Sequence, residues 1–232
     1  MTADRWTQTV RHHVGLGRLL PLGGPRDGAW IAEGAAVAVL GHAAADEVPG
    51  ARLGTVRIAL ADPEDVHEPV VPAPPGALPP GALRLTADFA ATAAEPLPAV
   101  ASRLRLALAT AATRCLGLVL TDVDLRVTDL LAAEPPSREV PAPRPTPARE
   151  PTDPDEAGAA TAALSVPGVS VLTGLRLEER TAGTALPHRH ARVELATGAD
   201  HRAVEVARQV RAAVREALED RPTVTVLITA VS

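Results

Sequence analysis

A proline–glycine helix stop occurs twice in this chain, and it constrains the fold more than any other feature of the sequence. It reads Val48-Pro49-Gly50 in the first half and Val166-Pro167-Gly168 in the second. The proline forces the preceding valine out of helical geometry, and the glycine permits a tight turn. A helical pattern precedes each stop, and two strands, a helix and a closing strand follow it. The chain is therefore predicted to contain a tandem repeat of one αββαβ unit.

The helix of the first unit is predicted over residues 30–50, WIAEGAAVAVLGHAAADEVPG. Its small apolar side chains recur at helical spacing and form one stripe. The stripe consists of Ala35, Ala36, Val39, Leu40, Ala43 and Ala44. Because these side chains are small, the helix can pack closely on a sheet.

The rest of the first unit follows from alternation of apolar and polar residues and from proline positions. Strands are predicted over residues 53–60, 83–89 and 119–127, and a helix that begins at Glu95-Pro96 ends at Leu116-Gly117. Residues 61–82 are rich in proline and acidic groups, which is typical of a loop.

The second unit is a shortened version of the first. A short helix is predicted over residues 155–165, strands over 170–178, 189–196 and 223–231, and a helix capped by Asp200 before the last strand. The apolar stripe of that last helix consists of Ala203, Ala207, Val210, Val214, Ala217 and Leu218. The closing strand is apolar enough to be central in a sheet, or to be an exposed edge that invites strand addition.

The predicted fold class is α/β, in the form of an α+β two-layer sandwich with helices on one face of a small three-stranded sheet in each unit. The predicted domains are an N-terminal arm (1–29), a first αββαβ domain (30–131), a proline-rich extended linker (132–154) and a second, shorter domain (155–232). Each unit leaves one sheet face uncovered, so we expect the units to cover each other or to associate with another chain.

The N-terminal arm carries apolar residues at four-residue spacing, which predicts a short amphipathic helix over residues 3–14. Two interpretations compete. In one, the arm packs its tryptophan on the domain; in the other, the arm docks on a partner protein or an anionic membrane surface. The candidate docking residues are Trp6, Val10, Arg11, Val14 and Arg18.

Composition excludes several function classes. The net charge is −5, which argues against a dedicated nucleic-acid binder. Cys115 is the single cysteine, so no intramolecular disulfide can form and a cysteine-based zinc site is excluded. The sequence shows neither a signal-peptide pattern nor an apolar run long enough to span a membrane, so we expect a cytoplasmic protein.

No side-chain constellation predicts catalysis. His188 and His190, with His201 nearby, are the best metal candidates, but no cysteine or well-spaced carboxylate completes a ligand set, so we expect solvated histidines. The acidic residues 62–68 lack the spacing and glycine of a calcium hand. No phosphate-binding loop or nucleophile elbow is present, and Cys115 is expected in the core. No catalytic, cofactor or metal residue is predicted.

Several motifs of the first unit occur in the order found in one known family. Ile31-Ala32-Glu33-Gly34-Ala35 opens the helix and Ala43-Ala44-Ala45 leads into the stop. The strand LRLTADF, the helix start EPLPAVASRL and the closure VDLRVTDL follow. Over residues 30–130 the chain resembles the alkaline-shock (Gls-type) envelope stress-response family of bacteria. The second unit resembles the family through Val166-Pro167-Gly168-Val169.

This resemblance implies a cytoplasmic, non-enzymatic protein that assembles with itself or with paralogues. Some members of the family are held at the membrane by a small anchor protein. It implies no cofactor and no catalytic residue. The leading expectation is therefore a structural or interaction protein, and the alternative is a small-molecule-binding regulatory module with its site between the two units. An RNA-binding module ranks third, because a basic groove and stacking aromatic residues are missing.

Overall fold

The computed structural model describes residues 16–133, 143–180 and 188–232. Within these ranges the chain is a mixed α/β protein with four α-helices and two sheets. The helices are α1 (Glu33–Glu47), α2 (Leu97–Ala111), α3 (Pro154–Leu164) and α4 (Ala203–Ala217). The strands are β1 (Leu19–Leu22), β2 (Ala29–Ala32), β3 (Ala51–Leu60), β4 (Leu83–Thr92), β5 (Leu120–Leu131), β6 (Val169–Arg180), β7 (His188–Thr197) and β8 (Thr223–Val231).

The smaller sheet has the strand order β3-β4-β5, with β3 antiparallel and β5 parallel to the central strand. Alternate residues of β4, from Leu85 to Phe89, are fully buried, and α1 and α2 pack against the flanking strands β3 and β5. The opposite face carries the charged residues Arg84, Asp88 and Arg126 and is open to solvent. This sheet is therefore amphipathic, as the alternation in the sequence predicts.

The larger sheet has the strand order β1-β2-β8-β7-β6, in which β8 runs parallel to both of its neighbours. Helix α4 packs on β8 and on α3. The apolar stripe predicted for α4 is buried, with Ala203, Ala207, Val210 and Val214 all without solvent exposure. Strand β8 is buried almost throughout, which is typical of a central strand covered on both faces.

Two predictions for the N-terminal region are wrong. Residues 29–32 form β2 and not the start of a helix, so α1 begins only at Glu33. Residues 19–22 form β1, which pairs with β2, and the second sheet therefore has five strands and not three. The physical reason is that both four-residue runs are buried on both faces, and periodicity cannot distinguish a short buried strand from a buried helical turn.

The closing strand is central and not an exposed edge. Strand β8 lies between β2 and β7, and Val226, Leu227 and Ile228 have no solvent exposure. Of the two alternatives for residues 223–231, the central position is confirmed, and the expected strand addition is wrong because β2 already occupies that edge.

Two smaller predictions also fail. Asp200 does not cap α4: the helix begins after Arg202 with no side-chain cap, and the Asp200 carboxylate pairs with His201 instead. Cys115 is exposed on the π-helical turn that follows α2, and is not in the core. The two proline–glycine stops, by contrast, lie between α1 and β3 and between α3 and β6, as predicted.

The β1–β2 hairpin is tied to α4 by arginine side chains. Arg208 donates two hydrogen bonds to the Asp27 carboxylate, Nε to Oδ1 at 2.7 Å and Nη2 to Oδ2 at 3.0 Å. Arg211 donates to the main-chain carbonyls of Arg26 at 2.8 Å and Val224 at 3.0 Å. The hydrogen bond from Arg208 is the main cause that lowers the pKa of Asp27 below its usual value. These hydrogen bonds hold the β1–β2 hairpin against α4.

Gly117 supports the contact between the end of α2 and the beginning of α4. Its φ is +89°, a left-handed conformation, and a Cβ at this position would collide with the side chain of Val204. We expect Gly117→Ala to lower the free energy of unfolding by about 1–3 kcal/mol, measured by chemical denaturation.

Gly158 provides the matched control, since it lies within α3 and a Cβ there would meet open space. Gly158→Ala should raise the free energy of unfolding by about 0.5–1 kcal/mol. A Gly117→Ala protein as stable as the wild type would contradict this account of the contact.

Candidate functional site

The predicted docking residues of the N-terminal arm are placed by the structure only in part. Trp6, Val10, Arg11 and Val14 lie outside the described residues, as does the predicted helix over 3–14. Arg18 lies just before β1, and its guanidinium pairs with the Glu33 carboxylate at 3.1 Å. Arg18 is thus engaged within the fold.

The candidate metal-binding histidines occupy different environments. His190 is 3% exposed and its Nδ1 is hydrogen-bonded to the Thr223 hydroxyl at 2.8 Å. His188 is exposed at the start of β7, and His201 pairs with Asp200 beside α4. Within residues 16–133, 143–180 and 188–232, no group of three or more His, Cys, Asp or Glu side chains is arranged to hold a metal ion.

A row of buried polar side chains on β7 was not found by sequence reasoning. His190, Arg192 and Glu194 are alternate residues, and the Arg192 Nη2 lies 3.1 Å from the Glu194 Oε1, with side chains only 15% and 10% exposed. Gly174 on β6 makes room for this pair, since a Cβ there would lie 3.1 Å from the Glu194 carboxylate. In the sequence, these three polar residues alternate with apolar ones, but the same alternation is typical of a strand whose polar face is in contact with solvent.

The buried row joins neighbouring strands and carries shifted pKa values. Burial, and secondarily the positive charge of Arg180, lowers the pKa of His190 to about 4. Burial likewise lowers the pKa of Arg192. On the adjacent strand the Thr225 hydroxyl donates to the Pro72 carbonyl at 2.9 Å. These hydrogen bonds connect β7, β8 and the 61–82 loop, so the row supports the fold.

An open cavity of about 450 Å³ lies where the β1–β2 turn, the end of α2 and the beginning of α4 meet. Arg202 and Arg208 line it, together with the apolar Leu118 and Val204. Arg202 donates to the Thr113 carbonyl at 3.1 Å, and both arginines lie within ion-pair distance of Glu205. The positive charges in the wall are therefore already balanced by carboxylates.

The outer edges of the two sheets differ in how far the chain covers them. On the edge of β1, the Leu19 N–H donates to the Gly76 carbonyl and the Leu19 carbonyl accepts from the Leu78 N–H. On the edge of β6, the Leu172 carbonyl accepts from the N–H of Ala148 in the linker. On β3, the Ile58 N–H donates to the Glu33 carboxylate at 3.2 Å. Three of the four edges are thus partly satisfied by other segments of the chain.

The edge of β5 is the most open. Its residues 121–130 are mostly exposed, and three of the six exposed large apolar side chains of the described residues lie on it or beside it. These three are Val119, Val127 and Leu130, which are 46%, 40% and 58% exposed. Arg105 of α2 covers part of this edge, since its Nε donates to the Val123 carbonyl at 3.0 Å.

An exposed strand edge of twelve residues presents a row of backbone donors and acceptors that can pair with another strand. The candidate functional site is therefore the β5 edge. The sequence predicts β5 itself, but it does not predict which strand forms the open edge, because strand order is not encoded in local alternation.

None of the described helices has the length and apolar character needed to cross a membrane. No family model, no curated protein and no solved structure matches the chain. Function is therefore inferred from the residues and geometry of the chain itself.

The depressed pKa of His190 predicts a pH dependence of stability. The unfolded chain binds a proton at this histidine near pH 6.5, whereas the folded chain does so only near pH 4. Stability is therefore fully present above about pH 6.5 and falls by about 1–3 kcal/mol as the pH drops to about 4. Denaturation of His190→Asn across this range should show a shallower fall.

His67, which is exposed in the 61–82 loop, supplies the control substitution, and His67→Asn should retain the wild-type pH dependence. An equally steep fall in His190→Asn and the wild type would show that other groups cause it.

Proposed function

We propose that this chain is a non-enzymatic assembly protein of the bacterial envelope stress-response type, which binds a strand of another protein molecule along β5. The observation that carries the proposal is the twelve-residue open edge with exposed apolar side chains. Large exposed apolar groups on a strand edge are a liability unless a partner covers them.

We further propose that the chain is a tandem repeat of two αββαβ units. In support, β3-β4-β5 and β6-β7-β8 have the same order, with an antiparallel pair followed by a parallel pair. A helix precedes the first strand and another separates the second from the third in both cases. On this proposal β5 and β8 are equivalent strands.

The equivalence supports a function for the β5 edge. In the second unit the outer edge of β8 is occupied by β2, whose residues 29–31 pair with residues 226–228. In the first unit the outer edge of β5 has no such strand among the described residues. The chain thus contains an example of strand addition at the position that β5 leaves open.

The expected partners are a second copy, a paralogue or a small membrane anchor protein. The expected location is the cytoplasm, at the inner face of the membrane. The arm residues Trp6, Val10, Arg11 and Val14 would supply apolar and cationic contacts to an anionic surface. Arg18 contributes less to such a surface, because Glu33 already holds it.

The alternative function is a small-molecule-binding regulatory module. The cavity of about 450 Å³ favours it, because the cavity lies between residues of the first unit and residues of the second. A ligand-dependent rise in melting temperature, lost on Arg202→Ala, would support this alternative over the assembly protein.

Substitution of Val127 tests the proposed function. The Val123 carbonyl accepts from Arg105 and so points away from β4, and alternation along the strand directs the Val127 N–H away from β4 as well. Val127→Pro therefore removes an edge donor without breaking the ladder to β4. We expect tagged wild-type protein, but not this variant, to recover related proteins or a small membrane protein from gently solubilised envelope, as read by mass spectrometry. Val127→Ile keeps the N–H, the branched shape and the apolar side chain and should behave as the wild type.

A chain lacking residues 1–15 separates the arm from the edge in the same experiment. It should still recover strand-pairing partners but should lose cosedimentation with anionic vesicles. Equal recovery by the wild type and Val127→Pro, or no recovery above background by either, would contradict the proposed function.

A further inference from the structure

The middle of β5 has two chemically distinct faces. Val123, Leu125 and Val127 lie opposite the buried Leu85, Ala87 and Phe89 of β4, on the face covered by the helices. Asp122, Asp124 and Arg126 alternate with them on the solvent face, where Arg126 pairs with Asp88 at 2.8 Å. Any strand that adds here must place apolar side chains beside the first set and polar side chains beside the second.

The backbone groups available on this edge belong to the apolar set. Successive residues of a strand direct their N–H and C=O groups to opposite sides. The Val123 carbonyl points away from β4, because the Arg105 Nε reaches it at 3.0 Å. The edge therefore offers the N–H and C=O groups of Val123, Leu125 and Val127.

Symmetry limits how β5 can pair with β5 of a second copy. A two-fold axis pairs a strand with its own copy only in the antiparallel direction. If the axis passed between two residues, each apolar side chain would lie opposite a charged side chain of the other copy. Opposite residues of an antiparallel pair point to the same face of the sheet, so one strand would turn its apolar side chains to solvent. The axis must therefore pass through a residue.

Charge selects that residue. An axis at Asp124 places Asp124 opposite its own copy, and an axis at Arg126 places Arg126 opposite its own copy. An axis at Val123 places Asp122 opposite Asp124, and an axis at Val127 places Arg126 opposite Thr128, which forms no ion pair. Like charges directly opposite each other are destabilising. An axis at Leu125 places Asp124 opposite Arg126 on both sides of the axis, and it pairs Val123 with Val127.

We infer that two copies of this chain pair antiparallel through β5 about Leu125, which joins the two three-stranded sheets into one sheet of six strands. This inference rests on the proposed function and names the second copy as the occupant of the edge. The two Leu125 residues exchange two backbone hydrogen bonds, and each pair of Val123 with Val127 exchanges two more.

The dimer also extends a charge pattern that each copy already contains. Asp88 holds Arg126 within one copy at 2.8 Å. Across the axis, Arg126 pairs with Asp124 of the other copy. Within its own copy, the Asp124 carboxylate lies 3.7 Å from Arg84, which is long for an ion pair. Arg105 leaves the Val123 carbonyl when the second strand binds, because the Val127 N–H of the other copy takes its place.

Charge reversal tests the register. Asp124→Arg places the new arginine opposite Arg126, and Arg126→Asp places the new aspartate opposite Asp124. In sedimentation velocity at micromolar concentration, the wild type should be dimeric and each single variant monomeric. An equimolar mixture of the two variants should form heterodimers, because every pair across the axis is then opposite in charge. The double variant should form homodimers for the same reason.

Arg57→Asp is the matched control, since it reverses an exposed charge of the same sheet on β3, away from the axis. It should remain dimeric. A monomeric wild type, dimeric single variants, or a mixture that stays monomeric would each overturn the inference.

The two proposals fail separately. A monomeric wild type that still recovers other strand-bearing partners, through an edge blocked by Val127→Pro, leaves the proposed function intact and refutes self-pairing. A dimer that follows the charge rules, with no recovery of envelope partners, leaves self-pairing intact and refutes the envelope function.

Discussion

The pairing of β2 with β8 is the constraint on which the rest of the structure depends. Strand β2 runs without a break into α1, so one continuous segment belongs both to the five-stranded sheet and to the helical layer of the three-stranded sheet. Trp30, Ile31, Leu227 and Ile228 are essentially unexposed, and each such burial contributes about 1.5–3 kcal/mol. The partly exposed ion pair of Arg208 with Asp27 adds about 1 kcal/mol or less, so it orients the hairpin more than it stabilises it.

That pairing decides which edge remains open. Strands β3–β5 and β6–β8 follow the same path, yet the third strand of each set has a different neighbour: β2 lies beside β8, and no strand among the described residues lies beyond β5. The core is composed mainly of alanine, valine and leucine, which lets the helices approach the sheets closely and leaves little aromatic surface. The open β5 edge is therefore the part of the described sheets without a neighbouring strand, and the proposed assembly rests on it.

Local physics was enough to predict much of this fold. The span of β8, the stripe of α4, the 61–82 loop and both helix stops follow from periodicity, proline and glycine. The sequence did not reveal that Trp30 lies in a strand, because AWIA is apolar on both faces and has no period to read. It also left open whether β8 is a central strand or an exposed edge, since strand order depends on the long-range pairing with residues 29–31. The buried pair of Arg192 and Glu194 was missed for a related reason: a polar residue at every second position looks the same whether that face is solvated or covered.

Hydrogen exchange at the β5 edge tests the central claim most directly. The Val123 carbonyl points away from β4, so alternation along the strand directs the amides of Val123, Leu125 and Val127 outward and those of Asp124 and Arg126 toward β4. In a single copy the protection of the first three amides is therefore low. If the edge assembles, protection of the first three amides rises with protein concentration while that of the other two changes little. Fast exchange of Val123, Leu125 and Val127 at every concentration would contradict the account and show that this edge stays open.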